Sequence, residues 1–547
     1  MKKGIISILI LAAMLLSLAS CSGAMDNAEA MSPMDGGYTG MSPSKSDSLY
    51  NYSTSTDDSI IGAPTDMQGT VTDAEKAEAD IAPSGPEGAP EYDKDVAIDY
   101  YKLQENPFID TTKENTSTFS ADVDTASYAY FRKLVQQGYN LSELIGTAGY
   151  SIRTEEMVNY FNYNYADPDE GELFSKTAQI APCPWNSKHM LLVLGLKTVE
   201  APAAKRNNLV FLIDVSGSMR SSDKLGLLKT AFTYLTENIG DDDVISIVTY
   251  AGGEKVVLDG CSGAKKDKIL KAVNSLEANG STNGEAGLKK AYQIAEKHYI
   301  EGGNNRIIMA SDGDLNVGIS SVDGIKALVE EKRDAGVFMS VLGFGTGNYK
   351  DDKMETIADS GNGVYYYIDS EIEAEKIFGA ELFSTLYTVA KDVKLQISFN
   401  EEYFKAYRLI GYENRMLANE DFENDTKDAG ELGSGHSVTV CYELIPVDSD
   451  ELPDGGNLFE LSVRYKQPDG VKSILEEEAF GIDVLSDGSD DNFKFISAVI
   501  ETSMILHESE YMGDTDLNNV LDTLNSIRLD DEYKEQFKLL IRGLINN

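Results

Sequence analysis

From residue 208 to about residue 386 the chain alternates short apolar runs with amphipathic stretches. The runs at 209–213, 244–249, 306–310 and 337–344, with a weaker one at 364–368, are strand-length and nearly free of polar positions. The stretches between them, at 224–238, 266–276, 285–299, 322–335, 353–359 and 371–386, carry apolar residues at helical spacing. Strands that are apolar on both sides suit a parallel sheet covered by helices on both faces, whereas a sheet with one wet face alternates. The pattern therefore predicts an α/β fold with a doubly wound, mostly parallel sheet, Rossmann-like in plan. Ligands of such sheets sit at the carboxyl ends of the strands.

The flanks follow other periods. Residues 117–124 alternate, 126–137 and 154–161 read as amphipathic helices, and 190–199 reads as a strand leading into the central domain. Beyond residue 390, the stretches 393–399, 405–410, 437–444 and 458–465 read as strands separated by Gly, Asp, Asn and Pro turns. Helical period returns from about residue 492 and closes the chain near 532–544. At the other end, 5–18 is an almost unbroken apolar stretch behind Lys2 and Lys3, short for a membrane span and shaped like a secretory signal. Residues 22–99 hold sixteen acids against three bases and no sustained apolar period, the composition of a disordered tether. A flexible coil of that length reaches about 45–50 Å. The expected division is a signal segment at 1–21, an acidic tether at 22–99, an α+β region at 100–205, the α/β domain at 206–388, and a β-rich C-terminal domain ending in helices at 389–547.

Charge and composition narrow the function. A net charge of −44 argues against nucleic acid or an anionic membrane surface as partner, and it favours bound cations. There is no CxxC and no Cys/His cluster of the kind that binds zinc. With Cys21 set aside, Cys183, Cys261 and Cys441 allow at most one internal disulfide. The four histidines (His189, His298, His436 and His507) are scattered, and no phosphate-binding loop, HExxH or GxSxG motif is present. The chain reads as a non-catalytic protein. Leu18-Ala19-Ser20-Cys21 resembles the lipobox of bacterial lipoproteins, which would make Cys21 the lipidated residue and place the protein outside the cytoplasm. The anchor would lie in the cell membrane or an outer membrane.

The chemistry concentrates where the fold predicts a ligand. The first strand of the α/β domain runs into Asp214-Val215-Ser216-Gly217-Ser218, delivering a carboxylate and two hydroxyls within five residues. Gly280-Ser281-Thr282-Asn283 opens a later helix with another hydroxyl, and the strand at 306–310 leads to Asp312. Neighbouring parallel strands would bring Asp214 and Asp312 to one edge, where two close carboxylates repel unless a cation neutralises them. Hard oxygen donors with few carboxylates suit Mg²⁺, which keeps waters that a ligand can displace.

Asp214, Ser216, Ser218, Thr282 and Asp312 together resemble the metal-ion-dependent adhesion site of von Willebrand factor type A domains. The resemblance implies a divalent cation (Mg²⁺, or Mn²⁺ or Ca²⁺) with one position open to an acidic residue of a protein partner. Asp314, two residues on, is a candidate to tune that site. The flanks are similar to a bacterial branch of lipoproteins carrying this domain. The similar segments are Phe119-Ser120-Ala121-Asp122-Val123-Asp124, Arg153-Thr154-Glu155-Glu156-Met157-Val158, Ala406-Tyr407-Arg408-Leu409-Ile410-Gly411-Tyr412 and Asp425-Thr426-Lys427-Asp428-Ala429-Gly430-Glu431. The expected function is a lipid-anchored envelope protein that binds a protein partner through this metal. The alternatives are an envelope assembly factor acting through its flanks, or a non-catalytic subunit of a metal-dependent enzyme complex. The acidic turns at 241–243, 448–450 and 487–492 read as solvated loops, and Trp185 as a packing residue.

Overall fold

The computed structural model describes residues 104–149, 151–200, 206–280, 284–313, 322–345, 351–381, 384, 386–447, 455–468, 470–486 and 488–546. The signal segment, Cys21, the acidic tether, Thr282, Asp314 and residues 448–450 lie outside the described residues.

The central domain is a six-stranded sheet in the order Tyr365–Ile368, Phe338–Phe344, Asn304–Ser311, Asn207–Asp214, Val244–Tyr250, Glu254–Ser262. Five strands are parallel and the last is antiparallel to its neighbour. The period of two along a strand decides which helix meets which residue. Leu209, Phe211 and Ile213 pack with Leu228, Phe232, Leu235, Ile269 and Ile377. Val210 and Leu212 point the other way, toward Leu288, Ala291, Ile325, Val329 and Ile357. Burial on both faces is why these strands carry unbroken apolar sequence. The edge strand Glu254–Ser262 escapes that rule. It is only partly buried and carries Glu254, Lys255 and Asp259, so no apolar run marks it. The tyrosines at 365–367 fill both faces: Tyr366 joins one core, and Tyr365 and Tyr367 the other. The helix read as continuous over 371–386 is instead Glu371–Glu375 followed by a π turn, Lys376–Ala380.

The stretches before and after this domain build one body. One antiparallel sheet has the order Ile109–Asp110, Phe404–Ile410, Ser437–Pro446, Met190–Thr198, Phe174–Pro182. A second runs Gly430–Gly433, Thr388–Phe399, Asn457–Lys466, Ser473–Gly481, with Thr116–Ser120 also pairing with Thr388–Phe399. Each sheet mixes strands from both sides of the central domain, so the regions at 100–205 and 389–547 share sheets and do not form separate layers. Val438, Val440, Tyr442 and Leu444 pack with Leu395, Ile397, Leu461 and Val463 between the two sheets. Leu191, Val193 and Cys441 face the opposite way, into helices Ala126–Gln136, Asp491–His507 and Glu532–Asn546. The helix Asp491–His507 is buried nearly all round, which explains its lack of a polar face. Trp185 is buried in the same cluster, and Cys183, Cys261 and Cys441 are buried free thiols.

Buried charge ties this body to the central domain. Arg415 reaches Asp122 (3.0 Å), Asp124 (3.5 Å), Glu355 (2.7 Å) and Asp359 (3.1 Å). Arg153 bridges Glu156 (2.8 Å) and Glu355 (2.9 Å). Arg132, fully buried, pairs with Asp369 and with Glu373 at 2.7 Å, and donates to Tyr160. Breaking a buried pair leaves an uncompensated charge, so these contacts fix how the parts fit together.

Candidate metal centre

The strand Asn207–Asp214 ends at a fully buried carboxylate. The Ser216 backbone N–H donates to Asp214 Oδ1 at 2.7 Å, folding the chain back over the strand end. Gly217–Arg220 then forms a 3₁₀ turn whose Met219 plugs into the core below. This turn leaves Ser216 buried and Ser218 exposed, with their hydroxyl oxygens 2.8 Å apart. A π turn at Ser222–Gly226 follows before the helix Leu227–Asn238 settles, and turns of this kind recur at functional sites.

Two further segments close on this loop. Asn279 N donates to Val215 O at 2.7 Å, and Gly217 N donates to Gly280 O at 3.1 Å. Gly280 has φ +100°, a left-handed value that suits glycine, and it delivers the chain toward position 282. On the other side, Asn304–Ser311 lies parallel to the Asp214 strand with Ala310 opposite Ile213, so Asp312 follows at the same edge. The described members of the expected set, Asp214, Ser216, Ser218 and Asp312, therefore meet at the carboxyl end of the sheet. Thr282 is the member outside the described residues.

The electrostatics of the site suit a cation. Asp214 Oδ2 has no hydrogen-bond partner among the described residues. Burial pushes the Asp214 carboxyl up to about 6, Ser216 pulls it back, and the Asp312 charge adds to the rise. Tyr250, opposite Asp214 in the neighbouring strand, is buried with its hydroxyl beside the Asp214 and Ser311 side chains, and burial next to Asp214 holds it well above the ordinary phenol range. Asp312 is paired with Lys224 Nζ at 2.8 Å. An orphaned buried carboxylate oxygen, a second buried carboxylate and two touching hydroxyls fit a hard divalent cation.

The comparisons with known proteins agree with this architecture. Residues 208–380 match the von Willebrand factor type A domain, residues 95–193 a von Willebrand factor family, and residues 384–545 the family described as "Uncharacterized protein YfbK, C-terminal". Over 471 residues the chain is 38% identical to "Uncharacterized protein YfbK" of Escherichia coli (strain K12), covering 81% of this chain and 80% of that one. The chain belongs to the YfbK family of bacterial von Willebrand factor type A proteins. A more distant relative, "Uncharacterized protein sll0103" of Synechocystis, is 28% identical over 209 residues, 38% of this chain and 48% of that protein. A solved "von Willebrand factor type A from Catenulispora acidiphila" aligns with 70% of this chain and 98% of its own at 15% identity and a TM-score of 0.39.

As a YfbK-family member the chain carries a type A domain, a module that mediates protein–protein interaction, in some proteins through a metal-ion-dependent adhesion site. Three participants around the site carry no motif. Lys224 reads from sequence as the first residue of an amphipathic helix. A cation in a helix's first turn opposes the helix dipole, which is the one local signal that it has another task. Tyr250 is simply the last residue of an apolar strand. Gly287 has no signal at all, yet a Cβ there would come within 2.6 Å of Tyr250 Cβ, so its absence lets helix Gly284–Lys297 pack closely on the Tyr250 strand end. A second carboxylate group, Asp122, Asp124 and Glu355, already has Arg415 in its midst and serves as the tie described above.

Proposed function

We propose that this protein is an envelope-anchored binding protein that captures a partner protein through a divalent cation, Mg²⁺ first among the candidates, held by Asp214, Ser216, Ser218, Thr282 and Asp312. The observation that carries the reading is the buried Asp214 carboxylate, whose Oδ2 makes no hydrogen bond of normal geometry among the described residues, at the point where the Ser216–Ser218 loop and Asp312 converge. When bound, the cation supplies an electrophile with room for an outside carboxylate. The chain's own residues do the rest. The Ser216 backbone fixes the orientation of Asp214, Met219 anchors the loop, and the exposure of Ser218 leaves the site open to a macromolecule. The partner is a protein presenting an acidic residue; nucleic acid does not fit a chain of charge −44.

The anchor is proposed at Cys21, on the strength of the Leu18-Ala19-Ser20-Cys21 segment. Among the described residues no helix is long and apolar enough to cross a membrane. Replacing Cys21 with Ser should move the protein from the membrane to the soluble fraction, and continued membrane retention would refute the anchor.

The test of the binding reading is capture of partners from envelope extracts by the full chain in Mg²⁺, in EDTA, and with Asp214→Ala. A partner that requires both Mg²⁺ and Asp214 supports the reading. A partner held in all three conditions contradicts it and moves the function to the paired sheets that flank the type A domain.

A further inference from the structure

A second group of carboxylates lies where the sandwich of antiparallel sheets meets the type A domain, on the side away from Asp214. Strand Thr388–Phe399 loses register between Ala390 and Val393 against one neighbour and between Lys391 and Lys394 against the other. In that bulge Asp392 adopts φ +53°, a left-handed conformation unusual for a residue other than glycine. Bulges redirect side chains out of the sheet's alternation. Here the bulge groups Asp392 with Asp428, from the preceding loop, and Glu431, on strand Gly430–Gly433. One carboxylate oxygen from each lies within 4.8 Å of the others.

The second observation is Glu431 itself. It is only 9% exposed, and its Oε1 has no hydrogen-bond partner among the described residues. Lys466 Nζ holds Asp392 by Oδ2 at 2.6 Å, Ala429 N makes a long 3.4 Å contact to Oδ1, and the Asp392 and Asp428 carboxyls share a hydrogen bond. Arg333 stands 3.6 Å from Asp428. Among the described residues neither base hydrogen-bonds Glu431 Oε1, and the buried Arg306 guanidinium lies near enough for the two charges to interact. All the donors are oxygens, with a backbone carbonyl (Asp425 O) held close by through Lys466.

We propose that Asp392, Asp428 and Glu431 form a Ca²⁺ site within the sandwich, at its border with the type A domain. Three carboxylates on loop and bulged backbone suit a cation that takes six to eight oxygens in loose geometry better than Mg²⁺, which demands a near-octahedral shell. The absence of His or Cys from the group excludes the donors zinc prefers. Arg333 sits at the C-terminal end of helix Val322–Asp334, where the chain turns into strand Phe338–Phe344. In a parallel α/β sheet that is the edge opposite the one holding Asp214. The two sites therefore lie at opposite edges of the sheet and share no ligand.

The test is Ca²⁺ titration of the full chain carrying Asp214→Ala, which removes the adhesion site from the count. About one Ca²⁺ per chain is expected, with Kd at or below about 1 mM, the range of extracellular modules. Binding should weaken at least tenfold when Glu431→Gln is added. Asp428→Asn, at an exposed position, gives the same loss without disturbing the core and serves if the Glu431 variant fails to fold. Absence of Ca²⁺ binding by the Asp214→Ala chain would overturn the proposal, as would binding that neither carboxamide alters. Loss of Mg²⁺-dependent partner capture alone would bear on Asp214 and leave this site standing.

Discussion

Replacing Lys224 with Met removes the cation paired with Asp312 at the proposed metal site and keeps the side chain's apolar stem. That stem lies directly against Gly345, where a Cβ would come within 2.2 Å of Lys224 Cε, so Met preserves the contact while deleting the charge. The lost interaction is a 2.8 Å pair between Lys224 and an Asp312 side chain that is wholly buried. A charge-assisted hydrogen bond of this kind contributes about 1.5–3 kcal/mol net. A divalent cation at Asp312 must displace or share that contact, so removing the competitor should tighten Mg²⁺ binding by about ten- to 150-fold. The same free energy appears as a loss of stability in the metal-free protein, because the cation-loaded states of the two proteins differ little. Calorimetric titration with Mg²⁺ reads the first quantity, and thermal unfolding in EDTA and in saturating Mg²⁺ reads the second. The two proteins should melt apart in EDTA and together in Mg²⁺. Unchanged affinity, or equal melting in EDTA, would refute the competition.

Two other perturbations test the ties between the parts. Arg415→Ala should cost about 3–5 kcal/mol at neutral pH, because Asp122, Asp124 and Glu355 stay buried without their counter-charge. A loss under 1 kcal/mol in urea unfolding would show that Arg415 is not what holds them. Glu155 is buried with no side-chain hydrogen-bond partner among the described residues, and burial, with Glu413 and Asp122 nearby, pushes it up to about 8 against the pull of the Tyr412 backbone N–H. A raised carboxyl keeps its proton in the folded state while the unfolded chain has released it, so its contribution to stability falls as pH rises from about 4.5 to 8. Glu155→Gln should therefore raise the melting temperature at pH 8 and leave it nearly unchanged at pH 4; a drop at pH 8 would mean the charged form is held by a partner.

The legible part of this chain is the part governed by local period. Strands Asn207–Asp214, Val244–Tyr250 and Asn304–Ser311 are buried on both faces, so their apolar runs announce them within two residues at either end. The Asp214, Ser216, Ser218 and Asp312 positions followed from those strand ends. Strand Glu254–Ser262 was hidden because an edge strand needs apolar residues on little of its surface. Alternation at 117–124 was read through to Asp124, but the strand ends at Ser120, since Asp122 and Asp124 turn toward Arg415. The pairing of Thr116–Ser120 with Thr388–Phe399 joins segments nearly 280 residues apart, with Leu395 opposite Phe119, and period alone names no partner. Lys224 and Asp392 were illegible for a related reason: their roles depend on a π turn and a bulge, irregularities that no repeating pattern encodes.

The account stands most directly on whether Asp214 holds a divalent cation. Titration of Mg²⁺ into the full chain and into Asp214→Ala, with circular dichroism to confirm an intact fold, decides it. The account predicts a saturable isotherm that disappears with Asp214, at unchanged secondary structure. An isotherm that Asp214→Ala leaves as it was would contradict it.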